Sequence, residues 1–190
     1  MYICIVIEKT NIKHMKKILA FAGSNSKTSI NKQLVTYASD LIDNAEVNLV
    51  DLNDFDLPLY GIDLEKSHGI PHNAHKFFNL IKESDGLLIS LAEHNGSYAT
   101  VFKNLFDWMS RIEAKTFCGK PMLLMATSPG GRGGASVLEA AANRFPFHDT
   151  KIVAQFSLPL FGDNFKGGQF VNDDLNDQLK SAVQKLQSAI

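Results

Sequence analysis

Short apolar runs alternate five times with amphipathic segments of helical period along this chain, and few architectures accommodate that pattern. The runs are Ile18 to Ala22, Val47 to Asp51, Leu87 to Leu91, Pro121 to Ala126 and Ile152 to Ala154. Several are apolar at every position, as in strands covered on both faces. Between them, Ile30 to Asn44 carries Leu34, Val35, Ala38, Leu41 and Ile42 on one stripe. A second helix starts near Pro71, with Phe77, Phe78, Leu80 and Ile81 as core contacts. A third repeats Phe102, Leu105, Phe106 and Met109. Ala135 to Arg144 and Asp173 to Ser188 complete the set; the acidic start of the last suits the helix dipole. Alternation of this kind predicts a three-layer α/β domain, a parallel sheet with helices on both faces.

Composition narrows the partners. The 190 residues suit one domain, and 45% hydrophobic with 21% charged is ordinary for a globular chain. A formal charge of -1 provides no basic field for nucleic acid. No apolar run reaches the roughly 18 residues of a membrane span. Cys4 and Cys118 are too few for a disulfide framework and fit a reducing, cytoplasmic setting. Met1 to Ile7 is apolar but lacks a basic start and a cleavage site. With Met15 opening a natural first strand, residues 1–14 are expected to be a peripheral extension of a domain at 15–190.

In parallel sheets of this class the ligand lies outside the C-terminal strand ends, where the strand order reverses. Three loops are therefore of interest. The first, Gly23-Ser24-Asn25-Ser26-Lys27-Thr28-Ser29-Ile30-Asn31, gathers four hydroxyls, two asparagines and a helix N-terminus, which together suit a phosphate monoester. It is neither GxxxxGK[ST] nor GxGxxG. A plain helix cap, with Thr28 or Ser29 at the N-cap, explains the same residues equally well. The second, Ala92-Glu93-His94-Asn95-Gly96-Ser97-Tyr98, follows the most apolar run and suits the edge of a planar ring; the bland alternative is a polar turn at Asn95-Gly96. The third runs from Thr127 through Ser128, Pro129, Gly130, Gly131, Arg132, Gly133 and Gly134, and its glycines admit a close ligand or merely a strained connection.

Other residues have structural readings. His68, His72 and His75 lack a carboxylate or cysteine cluster for a metal. Trp108 lies on a helical stripe of core or subunit-interface type. Cys118 has only Lys120 to activate it.

In order and placement the three loops resemble the NADPH-dependent FMN reductases, a flavodoxin-like group that includes quinone, azo-dye and chromate reductases. Gly23-Ser24-Asn25-Ser26-Lys27-Thr28-Ser29-Ile30-Asn31 is similar to GSxRxxSxN, with Ser26 in place of the arginine and Lys27 as a partial stand-in. Glu93 and Asn95 match PEYN, where Ala92 and His94 differ. Lys103-Asn104-Leu105-Phe106-Asp107-Trp108 matches KNxxDW, and Ser128, Gly130, Gly131, Gly133 and Gly134 follow SxGGxGG. Leu57-Pro58-Leu59-Tyr60 is a smaller echo.

The resemblance implies a five-stranded parallel sheet of order 2-1-3-4-5, FMN as cofactor and NADPH or NADH as reductant. It implies a quinone, azo compound or other small electron acceptor, and a homodimer or homotetramer. It places the phosphate at Ser24, Ser26, Lys27, Thr28, Ser29, Ile30 and Asn31. The ring would lie along Ala92, Glu93, His94, Asn95 and Gly96, with Ser128, Pro129, Gly130 and Gly131 opposite. Arg111 and Arg132 are candidates for a nucleotide 2′-phosphate. Two rivals stand beside this: a flavodoxin-type electron carrier, disfavoured by the near-neutral charge, and a non-catalytic ligand-binding module, kept open by Ser26, Ala92 and His94.

Overall fold

The computed structural model describes residues 15–190; the expectation for 1–14 lies outside the described residues. In chain order the elements are β1 (Lys16–Gly23), α1 (Ile30–Asp40), β2 (Ala45–Val50), a 3-10 turn (Leu52–Asp54), α2 (Ile62–His68), α3 (His72–Glu83) and β3 (Gly86–Leu91). A two-strand hairpin, β4 (Glu93–His94) and β5 (Ser97–Tyr98), precedes α4 (Thr100–Ile112). Then come β6 (Lys120–Thr127), α5 (Ala135–Arg144), a second 3-10 turn (Phe145–His148), β7 (Thr150–Leu158), α6 (Phe161–Asn164), the hairpin β8 (Phe165–Lys166) and β9 (Gln169–Phe170), and α7 (Asp173–Gln187).

The main sheet is parallel, in the order β2-β1-β3-β6-β7, which is the expected order with the two hairpins set aside. Strand periodicity explains its two cores. Leu19 and Phe21 of β1, with Leu87, Ile89 and Leu91 of β3, face α3, α4 and α5. Ile18, Ala20 and Ala22, with Leu88, turn to the opposite side against α1 and α7. Both faces are dry, so β3 is buried at every residue. Phe21 anchors the first core, meeting Phe77 edge-on at 5.0 Å between ring centroids.

Several boundaries differ from the sequence reading. The first helix stops at Asp40, and Asn44 at φ 57° turns the chain into β2. Pro71 is the residue before α3, with extended ψ, rather than its first helical residue. The fifth main strand has nine residues instead of three, because Gln155 and Ser157 hide an edge strand behind polar side chains. Helix α2 buries no residue, so it leaves no periodic signal.

At the end of the sheet remote from the three loops, His148 is 8% exposed and packs edge-on against Phe106. Its Nδ1–H donates to the Ala114 carbonyl at 3.0 Å, and Nε2 is buried without a partner. Protonating Nε2 would bury an unpartnered N–H, so burial pushes the imidazole below its ordinary 6.5. The unfolded chain therefore takes up a proton that the fold refuses. Stability is full above about pH 6.5 and falls as pH drops toward the lower folded value. Urea melts from pH 7.5 to 5 should show this decline, and His148→Phe should flatten it.

Candidate functional site

The end of β1 becomes the first loop because α1 cannot start before its cap. Ser29 caps the helix, its Oγ accepting from the Lys32 amide at 3.1 Å. Upstream, Ser24 Oγ accepts from the Ser26 amide at 3.2 Å, and Ser26 Oγ accepts from the Thr28 amide at 3.3 Å. Each hydroxyl thus spends a lone pair inward and keeps its hydrogen to donate. The amides of Ile30 and Asn31 open the helix and have no intrahelical acceptor. A row of O–H and N–H donors with no carboxylate among them is the chemistry a phosphate dianion requires. The cap and the phosphate site are compatible uses of one loop.

The three loops meet. A cleft of about 220 Å³ is lined by Ser24, Ser26, Thr28, Ser29, Ile30 and Asn31 from the first, Ala92, Glu93 and His94 from the second, and Thr127, Ser128 and Pro129 from the third. Asn95, Gly96, Gly130 and Gly131 do not line it. Asn95 and Gly96 form the tip of the β4–β5 hairpin, both at positive φ, and Gly130 and Gly131 are exposed beside the mouth. Lys27 lines a neighbouring groove instead, so its role as stand-in for an arginine is not supported by its place.

Two residues of the cleft are also structural ties. Asn31, 3% exposed, accepts through Oδ1 from the Thr127 amide at 3.0 Å and from Ser90 Oγ at 2.8 Å. Its Nδ2 donates to the Thr127 carbonyl at 3.2 Å. One amide therefore joins the α1 start to the C-terminal ends of β3 and β6. Glu93 is the second tie. Gly134, ahead of α5, has no side chain to cap with, and Glu93 Oε2 accepts from the Val137 amide at 3.0 Å in its place. The loops after β3 and β6 are thereby clasped together.

The third loop is also held from behind. Leu160 and Phe161 donate backbone N–H bonds to the carbonyls of Gly130 and Ser128, each at 3.1 Å, and Ser157 Oγ donates to the Gly133 carbonyl at 3.0 Å. Gly133 must be glycine: at φ +57° a Cβ would lie 2.3 Å from Ser157 Oγ. Leu160 itself is 43% exposed and sits in the left-handed region at φ 47°, a conformation costing a leucine roughly 1–2 kcal/mol. Its amide and carbonyl bonds hold it there.

The Lys103 to Trp108 motif serves the loop after β2. Trp108, fully buried, donates Nε1–H to the Pro58 carbonyl at 2.8 Å. Asn104 donates Nδ2–H to the same carbonyl at 3.0 Å and accepts from the Tyr60 amide at 2.8 Å. Tyr60 stacks edge-on over the indole at 5.0 Å. Trp108 is thus a core residue that pins the Leu57 to Tyr60 segment. Arg111 donates Nε–H to both oxygens of Glu65, at 3.1 and 3.0 Å, which holds that carboxyl below its usual range. Arg132 donates a guanidinium N–H to Ser136 Oγ at 3.1 Å.

Sequence reasoning passed over Ser90 and left Thr127 out of the ligand set. A lone serine inside the otherwise apolar β3 was the available signal, since a buried hydroxyl requires a partner.

A donor-rich first loop at the strand-order switch, with a cleft shared by the next two loops, defines a flavodoxin-like α/β protein. Comparison with known proteins takes this further. The chain belongs to the NADPH-dependent FMN reductase family, whose model matches residues 16–186. It is 30% identical over 174 residues to a 2-hydroxy-1,4-benzoquinone reductase from Burkholderia sp, covering 89% of this chain and 93% of that one. It is 36% identical over 80 residues to the quinone reductase of Escherichia coli K12, a match spanning 42% of this chain and 43% of that protein's length. In fold it is similar to the flavoenzyme NAD(P)H:(acceptor) oxidoreductase FerB from Paracoccus denitrificans, with a TM-score of 0.71 at 24% identity, covering 92% of this chain and 98% of that one.

Proposed function

We propose that this protein is an FMN-dependent NAD(P)H oxidoreductase acting on quinones and similar small acceptors. The observation that carries this is the donor row of the first loop, placed beside the shared mouth of the other two. Held there, FMN would supply the two-electron redox chemistry that links a nicotinamide nucleotide to the acceptor, in ping-pong order. The chain's own residues bind and orient. Ser24, Ser26 and Thr28 hydroxyls, with the Ile30 and Asn31 amides, hold the phosphate. Ala92, His94 and Pro129 line the way to the ring. Glu93 acts as a positioning residue in this reading: its Oε2 accepts from the Val137 amide and fixes the mouth.

The related quinone reductases support a quinone acceptor. A homodimer fits the pinned Leu57 to Tyr60 segment, which presents Leu59 at 74% exposure. Among the described residues Cys118 has no disulfide partner, which fits a reducing cytoplasm. Among the described residues, no helix is long and apolar enough to cross a membrane.

The test is direct. Purified protein should be yellow, release FMN on heating, and oxidise NADPH with a benzoquinone in parallel-line kinetics. Ser26→Asp sets a carboxylate against the phosphate, a like-charge contact of several kcal/mol, and should weaken FMN binding by about 100-fold or more. A colourless protein that takes up no FMN would overturn the reading.

A further inference from the structure

The outer face of α7 is its own complement. Asp174, Asp177, Gln178, Ser181, Gln184 and Lys185 are all exposed. At 3.6 residues per turn they fall within about 120° of the helix surface, away from the buried Leu179, Ala182, Val183 and Leu186. Ser181 stands at the middle of this stripe. Asp177 comes four residues before it and Lys185 four after; Gln178 comes three before and Gln184 three after. We infer that this face, with the adjoining edge of β7, is a contact surface for a second copy of this chain, related by a two-fold axis at Ser181. The inference does not depend on the reductase reading, and it adds a face to the one presented by Leu59.

Symmetry carries it first. When two α7 helices cross antiparallel at Ser181, a residue some places before the axis meets the one equally far after it on the partner. Asp177 of each copy then meets the partner's Lys185, and Gln178 meets the partner's Gln184, whose carboxamide both donates and accepts. Every contact is made twice. The residue at the crossing is small, which lets the helices approach closely. Among the described residues Lys185 enters no ion pair. Asp177 is met by Lys180 of its own helix at 3.1 Å, an exposed pair that contributes little and yields to a partner's charge. A protein of unrelated sequence has no reason to match an order of charges that inverts about one residue.

The surface beside the helix has the same arrangement. Two concavities of about 760 and 590 Å³ lie between α7 and β7, and Ser181 and Lys185 line both. The first runs along Ala154 to Ser157 and adds Asp174 and Asp177; the second runs along Lys151 to Val153. Acidic and basic ends therefore flank one point on the strand as they do on the helix, and the two-fold sets Lys151 toward the partner's Asp174. Strand β7 ends the main sheet, so its outer edge has no strand beside it among the described residues. The extra residue at Val153, where the register with β6 shifts, breaks that edge close to the axis. The copies thus meet through side chains seated in the concavities, and the sheet is not continued from one to the other. A two-fold contact closes on itself and stops at a pair.

Charge reversal tests this. Asp177→Lys and Lys185→Asp each set like charges against one another twice across the axis, and each should weaken self-association about tenfold or more. Both positions are exposed, so neither change enters the core. Sedimentation velocity of the full chain over a wide range of concentration reads the effect as a halved mass. A pair becomes single chains or, where the Leu59 face pairs as well, a closed tetramer becomes pairs. Combining both changes in one chain restores opposed charges and should recover the wild-type mass. Mixing the two single variants brings a face with two lysines to a face with two aspartates, so the mixture should assemble where neither variant does alone. A wild type that sediments as a monomer throughout overturns the inference. So does a mass that neither single reversal lowers, or a mixture that stays apart.

Discussion

Asn31→Leu is expected to lower stability by about 3 kcal/mol, which in a domain of this size moves the melting temperature by roughly 10 °C. Leucine keeps the branching and the number of side-chain heavy atoms, so the main loss is polar, with some overpacking from the bulkier methyl groups added to it. Three groups lose their partner together: the Thr127 amide, the Thr127 carbonyl and the Ser90 hydroxyl. All lie at buried strand ends, where an orphaned donor or acceptor costs about 1–3 kcal/mol. The same change should loosen FMN, because the first loop is no longer held in register with β3 and β6. Ser90→Ala removes one arm of the network and should cost only about 1 kcal/mol. Urea denaturation of the three proteins checks this. An Asn31→Leu melt overlapping the wild type would mean that the amide is not a structural tie.

Trp108→Ala should be as damaging or more so. Truncating a fully buried tryptophan typically costs about 3–5 kcal/mol, and here it also removes one of the two hydrogen bonds that the Pro58 carbonyl accepts. Trp108→Phe separates the two effects. It keeps most of the apolar volume, loses the hydrogen bond, and should cost about 1–2 kcal/mol. Limited proteolysis gives the second readout. Cleavage between Leu57 and Tyr60 should accelerate in both variants, because the segment is held to α4 through the indole and Asn104. Stability lost without faster cleavage there would show that Trp108 acts only as filler.

How much of this was legible beforehand depends on what each residue type reveals. The five main strands were readable because β1, β3 and β6 are buried on both faces and leave long apolar runs, whereas their order came from the family resemblance. Strand β7 was seen as a fragment, since an edge strand may alternate polar residues without penalty. The cleft was found because loops at the C-terminal strand ends must converge in such a sheet. What sequence could not separate was touching a ligand from holding the walls that do. Asn31 and Glu93 carry polar groups at the expected positions, yet each spends them on backbone and side-chain partners far away in sequence. Lys27, placed at the phosphate by the family resemblance as a stand-in for arginine, lines the neighbouring groove. The KNxxDW stretch read as a family mark; its physical task, securing the segment after β2, required knowing which carbonyl the indole reaches.

The Glu93 bond to the start of α5 has one more outcome. It couples two of the rims around the opening, so neither can swing aside alone when a bulky guest arrives. Such an aperture sorts visitors by girth instead of moulding itself around them, and widening its repertoire would mean trimming side chains at the edge rather than loosening a hinge.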